Sequence, residues 1–105
     1  MGERRCMMVI TTAPPGDADR IAYTLVEERL AACVNVIPVR SHFIWEGKIS
    51  REKEEMLFVK TTPDAAERVR RRILELHSYQ LPEIIALEIA DGHEPYMRWI
   101  HESVQ

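Results

Sequence analysis

The stretch from Cys33 to Thr62, CVNVIPVRSHFIWEGKISREKEEMLFVKTT, constrains the fold more than any other part of the chain. It reads as two long β-strands joined by a three-residue, bulged turn at Trp45-Glu46-Gly47, with Gly47 as the left-handed residue such a turn requires. The turn sets the register, so Val34, Val36 and Ile37 should meet the apolar run Met56 to Val59. An arm of ~13 residues spans roughly 40 Å, whereas a compact domain of this length has a radius of gyration of about 13 Å. The tip must therefore overhang the body. It carries Phe43, Ile44, Trp45 and Ile49 beside the polar run Ser50 to Glu55, and apolar groups on an exposed hairpin invite association unless a surface covers them. A second copy of the chain against the tip is the expected cover; the alternative is a C-terminal helix folded back over it.

The flanking segments read as shorter elements. Arg5 to Thr12 is a continuous apolar run, as in a strand covered on both faces, and Ala13-Pro14-Pro15-Gly16 ends it. Asp17 predicts an N-cap for a helix running to about Ala32, with Ala18, Ile21, Ala22, Leu25 and Ala32 on one stripe. Thr62-Pro63-Asp64 combines a hydroxyl cap, a proline at the first helical position and an acid in the first turn. The helix it opens shows Ala66, Val69, Ile73 and Leu76 on one face until about His77. Glu83 to Asp91 alternates as a strand, and Pro95 opens a short helix bearing Tyr96, Trp99 and Ile100. The order β-α-β-β-α-β plus a terminal helix predicts an α+β fold, a ferredoxin-like sandwich. Its marks are the long hairpin between the second and third strands and the extra C-terminal helix, in a single domain over residues 1–105.

Composition excludes several partners. A formal charge of -3 argues against a nucleic-acid surface, which needs clustered Lys and Arg. The one dense basic run, Arg68 to Arg72, lies within a helical pattern and reads as a solvated face. No stretch approaches the ~20 apolar residues of a membrane span, and Met1-Gly-Glu-Arg-Arg precedes too short an apolar run for a secretory signal. A cytoplasmic protein is expected. Cys6 and Cys33 have neither metal-finger nor CxxC spacing and read as buried thiols.

The fold hosts many activities, so function rests on particular residues. An acylphosphatase would need an arginine and backbone N–H groups after the first strand; Thr-Thr-Ala-Pro-Pro-Gly offers no arginine and two prolines. A soft-metal carrier would place CxxC there, and an RNA-recognition domain would expose aromatics on its central strands. Neither pattern is present. What remains is a polar and aromatic constellation: His77, Tyr79 and Glu83 after the second helix, Lys60 at the end of the third strand, Trp45 at the hairpin tip, and Tyr96 and Trp99 on the last helix. It has two readings. In one, His77 sits at a helix C-terminus favoured by the dipole, Tyr79 is a part-buried phenol and Glu83 pairs with Lys60. In the other, these groups line a pocket for a small ligand or divalent ion.

The runs Arg29-Leu30-Ala31-Ala32-Cys33-Val34-Asn35, Trp45-Glu46-Gly47-Lys48, Lys60-Thr61, His77-Ser78-Tyr79-Gln80-Leu81-Pro82-Glu83-Ile84 and Tyr96-Met97-Arg98-Trp99-Ile100 together resemble the CutA family of divalent-ion tolerance proteins. The resemblance implies a compact homotrimer related in architecture to the PII signalling proteins, with hairpins over residues 33–62 pairing between subunits. It also implies a part in the response to divalent metals, notably copper, and no established reaction. The copper ligands proposed for some members correspond here to Thr11, Leu76 and His77. Only His77 is a ligand type, and a hydroxyl with an isobutyl group does not replace a thiolate and an imidazole. Copper, if it binds, is expected to bind weakly.

Trp45, Lys60, His77, Tyr79, Glu83, Tyr96 and Trp99 are then the candidate lining of a cleft between subunits, or simply trimer packing. The leading expectation is a trimeric, non-catalytic regulatory or binding protein for a small ligand or weakly held divalent ion. The alternatives are a small enzyme with Glu83 or His77 as proton carrier and a purely structural assembly subunit.

Overall fold

The computed structural model describes residues 5–105. Met1 to Arg4, and with them most of the stretch weighed as a secretory signal, lie outside the described residues. The elements are β1 (Cys6–Ala13), α1 (Ala18–Glu27), β2 (Cys33–Trp45), β3 (Lys48–Thr61), α2 (Pro63–Leu76), β4 (Ile84–Ile89) and α3 (Glu94–Ser103). The four strands form one sheet in the order β2-β3-β1-β4, every neighbouring pair antiparallel. This is the expected ferredoxin-like sandwich with its terminal helix.

Strand alternation decides where the core lies. Val9, Leu57 and Val59 point to the face carrying α1 and α2 and are buried among Ile21, Leu25, Val69 and Ile73; each such side chain contributes about 1.5–3 kcal/mol of burial. The opposite face carries Met8, Ile10, Ile37, Met56, Phe58, Ile85 and Leu87. Here Ile37, Ile85 and Leu87 remain 44%, 49% and 46% exposed. The continuous apolar run of β1 suggested cover on both sides; within one chain, helices cover only one. α3 shelters the end of the open face near Cys6, through Met97 and Ile100, and does not fold back over the hairpin tip.

The hairpin is as long as expected, but its turn is tighter. Trp45 pairs with Lys48, so only two residues connect the strands rather than a bulged three. Glu46 (φ 53°) and Gly47 (φ 77°) are both left-handed, the signature of a type I′ turn whose twist matches that of the strands. β1 pairs with β3 only from Glu55 to Thr61; residues 48–54 have β2 as their one partner strand. The result is a molecule of 49 × 25 × 21 Å with a radius of gyration of 14.5 Å. Pro38, which lacks an N–H, sits on β2, an edge strand, where its missing donor does least harm.

The two long helices depart from expectation in opposite ways. α2 begins as read, Thr62 Oγ1 accepting from the Ala65 N–H at 3.3 Å with Pro63 at the first position, although Ala65 rather than Ala66 is the fully buried alanine. α1 stops at Glu27, short of Ala32, because Arg29 is left-handed (φ 62°). The Arg29 N–H donates to Val26 O and the Leu30 N–H to Leu25 O, both at 3.0 Å, which is a Schellman ending. Nor does the Asp17 side chain cap this helix. Its N–H already closes a turn onto Pro14 O and its backbone is helical rather than extended, so its carboxylate instead accepts from Ser78 Oγ at 3.1 Å.

A methyl group added at Gly47 meets nothing within 4 Å, so Gly47→Ala costs only the left-handed backbone, about 1 kcal/mol. Denaturant unfolding measures the loss, and an unchanged midpoint would contradict the type I′ turn.

Candidate functional site

The loop 77–83 connects α2 to β4 and passes over the end of β1, and two side chains hold it there. The His77 imidazole donates from Nε2 to the Thr12 carbonyl at 2.6 Å. A carbonyl only accepts, so the proton is on Nε2 and Nδ1 is left to accept the Tyr79 N–H at 3.1 Å. Both ring nitrogens are thereby occupied, and the ring leans on that of Tyr79 with centroids 4.8 Å apart. The Tyr79 hydroxyl in turn donates to Glu54 Oε2 at 2.7 Å. Glu54 is only 6% exposed, so this bond answers a carboxylate that water scarcely reaches. Burial first, and then the Glu54 carboxylate, push the Tyr79 phenol well above its ordinary range.

Against this loop lies the stem of the overhanging hairpin. Thr12, Phe43, Trp45, Glu54, Tyr79 and Glu83 line an open cleft of ≈ 490 Å³. The expected residues Trp45, Tyr79 and Glu83 thus converge, with His77 behind them as the support of the loop. Lys60, Tyr96 and Trp99 do not join them. The Lys60 ammonium donates to Asn35 Oδ1, not to Glu83 as expected; six positions along β3 separate it from Glu54, about 20 Å. Tyr96 stacks at 5.3 Å on Trp99, and burial, followed by the Cys33 thiol, raises its phenol. The candidate residues therefore fall into two groups at opposite ends of the open sheet face.

Thr11, Leu76 and His77 do not compose a metal centre. The Thr11 hydroxyl is fully buried with no hydrogen-bond partner among the described residues, Leu76 packs against the core, and His77 has no nitrogen lone pair to spare. Among the described residues no three His, Cys, Asp or Glu side chains gather closely enough to hold an ion. The sequence reading missed Glu54. It stood in the polar run Ser50 to Glu55, and only its alternation with Met56 and Phe58 signalled that it faces the open side.

The chain matches the family of CutA1 divalent ion tolerance proteins over residues 6–103. It belongs to the CutA family. The divalent-cation tolerance protein CutA of Thermus thermophilus is 44% identical over 98 residues, 91% of this chain and 95% of that protein. A solved structure described as the periplasmic divalent cation tolerance protein CutA from Archaeoglobus fulgidus superposes with a TM-score of 0.92 at 40% identity, covering 95% of this chain and 99% of that one. The chloroplastic CutA protein of Arabidopsis thaliana is 37% identical over 94% of this chain and 56% of its own length. In keeping with a family defined by ion tolerance rather than by a reaction, the chain is not an enzyme and has a non-catalytic part in divalent-cation tolerance. The expected cytoplasmic location is overturned by these relatives, described as periplasmic in one case and chloroplastic in another. A short N-terminal apolar run is too local a signal to assign a compartment. Among the described residues no helix is long and apolar enough to cross a membrane.

Two substitutions test the loop and the strand beneath it. Tyr79→Phe leaves the Glu54 carboxylate without its donor and destabilises by about 1–3 kcal/mol. A phenol whose folded pKa lies above its ordinary 10.0 stabilises fully below pH 10 and loses that contribution as pH rises further. The difference between wild type and Tyr79→Phe in denaturant unfolding should accordingly narrow above pH 10. Thr11→Val removes a buried hydroxyl that has no partner and should stabilise by about 1 kcal/mol; a loss of stability would mean that the hydroxyl is bonded.

Proposed function

We propose that this CutA chain works as a homotrimer, assembled through the 33–62 hairpin and the open sheet face, that answers divalent metal ions, copper among them, by binding. One observation carries the reading: an apolar sheet face with no helix over it, continuous with a hairpin that overhangs the body. Ile37, Ile85 and Leu87 on that face stay about half exposed with no helix over them, and a second copy is the cover that requires no further component.

The split of the candidate residues supports the same assembly. Trp45, Tyr79 and Glu83 occupy one end of the open face and Lys60, Tyr96 and Trp99 the other, so a cleft holding both groups takes its walls from two chains. In such a cleft Lys60 supplies the cation, Glu83 an acceptor and the aromatics the apolar walls of a small-ligand site. His77 acts as the brace of the loop rather than as a ligand, since a metal ion would have to displace one of its two backbone partners. Divalent ions are accordingly held weakly, with dissociation constants on the order of micromolar or above.

Sedimentation equilibrium at low micromolar protein should give three times the 12.2 kDa chain mass, and Ile85→Lys with Leu87→Lys should shift it to smaller species; a stable single-chain wild type refutes the assembly and its clefts. Calorimetric titration with Cu²⁺ should show micromolar or weaker binding, changed less than about threefold by His77→Ala. Nanomolar binding that survives His77→Ala would show that a strong metal site lies elsewhere.

A further inference from the structure

The hairpin overhang has two faces of opposite chemistry. On the side continuous with the helices, Arg40 lies directly across from Lys53 and His42 directly across from Arg51. All four are exposed. Arg40 and Lys53 set like charges in directly opposed positions, which weakens a strand pair by a few tenths of a kcal/mol up to about 1 kcal/mol. Several surface cations elsewhere are neutralised: Arg72 bridges Glu28 and Glu75, Arg70 pairs with Glu67, and Arg5 with Glu88. Arg40, Arg51 and Lys53 form no ion pair with any described residue. The one carboxylate on the same side is Glu55, opposite Pro38. With Arg40, Lys53 and the neighbouring Glu54 it lines an open cleft of ≈ 670 Å³ reaching Pro15.

We propose that this basic face of the hairpin is a binding site for a short polyphosphate chain, free or carried by a nucleotide. Opposed side chains on a ribbon stand about 5 Å apart and alternate ones about 7 Å. The three cationic tips of Arg40, Arg51 and Lys53 therefore bound a small triangle, which fits a few consecutive phosphoryl groups and not one anion alone. Two of its corners are guanidinium forks, which grip phosphate oxygens by paired hydrogen bonds. The site lies on the side of the ribbon away from the open sheet face, next to the exposed tip residues Ile44 and Ile49. A long nucleic acid is the poorer occupant, because the chain as a whole is acidic and its remaining surface repels an extended polyanion. Phosphate bound here replaces a cross-strand repulsion by attraction, so the ligand also stiffens the overhang.

Isothermal titration of the full chain with sodium tripolyphosphate, adenosine triphosphate and adenosine monophosphate tests the site, with sedimentation run in parallel. Tripolyphosphate and the triphosphate should bind with similar affinity and the monophosphate at least about tenfold more weakly. Arg40→Gln combined with Lys53→Gln should weaken the first two by about tenfold or more without changing the sedimenting mass. Lys48→Gln, a charge removed from the other side of the ribbon, should leave them unchanged. Arg40→Glu, which creates an opposed ion pair, should raise thermal stability while abolishing binding, so a folding defect cannot imitate the result. No heat with tripolyphosphate, equal weakening by Lys48→Gln, or a fall in mass on removing Arg40 and Lys53 while anion affinity is unchanged would overturn the proposal; the last would make the face a contact between copies.

Discussion

A sheet has two faces, and this chain has long helices for only one of them. α1 and α2 bury Val9, Leu57 and Val59, which commits the alternate residues Met8, Ile10, Met56, Phe58, Ile85 and Leu87 to the other side. No rearrangement within one protomer can hide both sets, because the period of a strand is two and a slip of one residue only exchanges them. The short α3 reaches Cys6 and Ile89 at one end and leaves the middle of the sheet bare. The alternation that makes the core therefore leaves a second apolar face open within one chain.

The hairpin follows from that constraint. Beyond Glu55 the ribbon has outrun β1, and a two-stranded ribbon without further cover is marginal in water. Three features support it at different points: the type I′ turn at Glu46-Gly47, the loop 77–83 pressed against its stem through Tyr79 and Glu54, and the cleft that seats Phe43 and Trp45. Ile44 and Ile49, opposed at the tip, lie on the other side of the ribbon and are not sheltered by that loop. The loop's own support is polar. His77 fixes it to Thr12 and Tyr79 ties it to Glu54, so residues that look like chemistry in a list of candidates are here spent on architecture.

Family relationship and geometry complement each other. Relatives from bacteria, archaea and plants share nearly the whole length of this chain, yet the positions corresponding to proposed copper ligands hold Thr11 and Leu76. The Thr11 hydroxyl lies buried there without a hydrogen-bond partner among the described residues. What the chain has is an open apolar sheet face and two groups of candidate residues at its opposite ends.

Local chemistry made much of the fold legible. The apolar ends of the hairpin, the stripe Ile21-Leu25, the Thr62-Pro63-Asp64 start and the alternation of Ile85 and Leu87 each act over a few residues, and each led to the right element. Features set by distant partners were not legible. The turn type depended on the Trp45–Lys48 register, the end of α1 on a left-handed Arg29, and the bond of Glu54 on Tyr79, twenty-five positions along the chain. The separation of Lys60 from Glu83 likewise required the sheet order, since sequence proximity to a strand end does not say which end of the sheet that is. Periodicity, caps and turn residues are short-range effects that a sequence carries openly, whereas hydrogen-bond partners and the proton on His77 are decided only when the chain closes on itself and buried polar groups must take whichever partners the packing brings within reach.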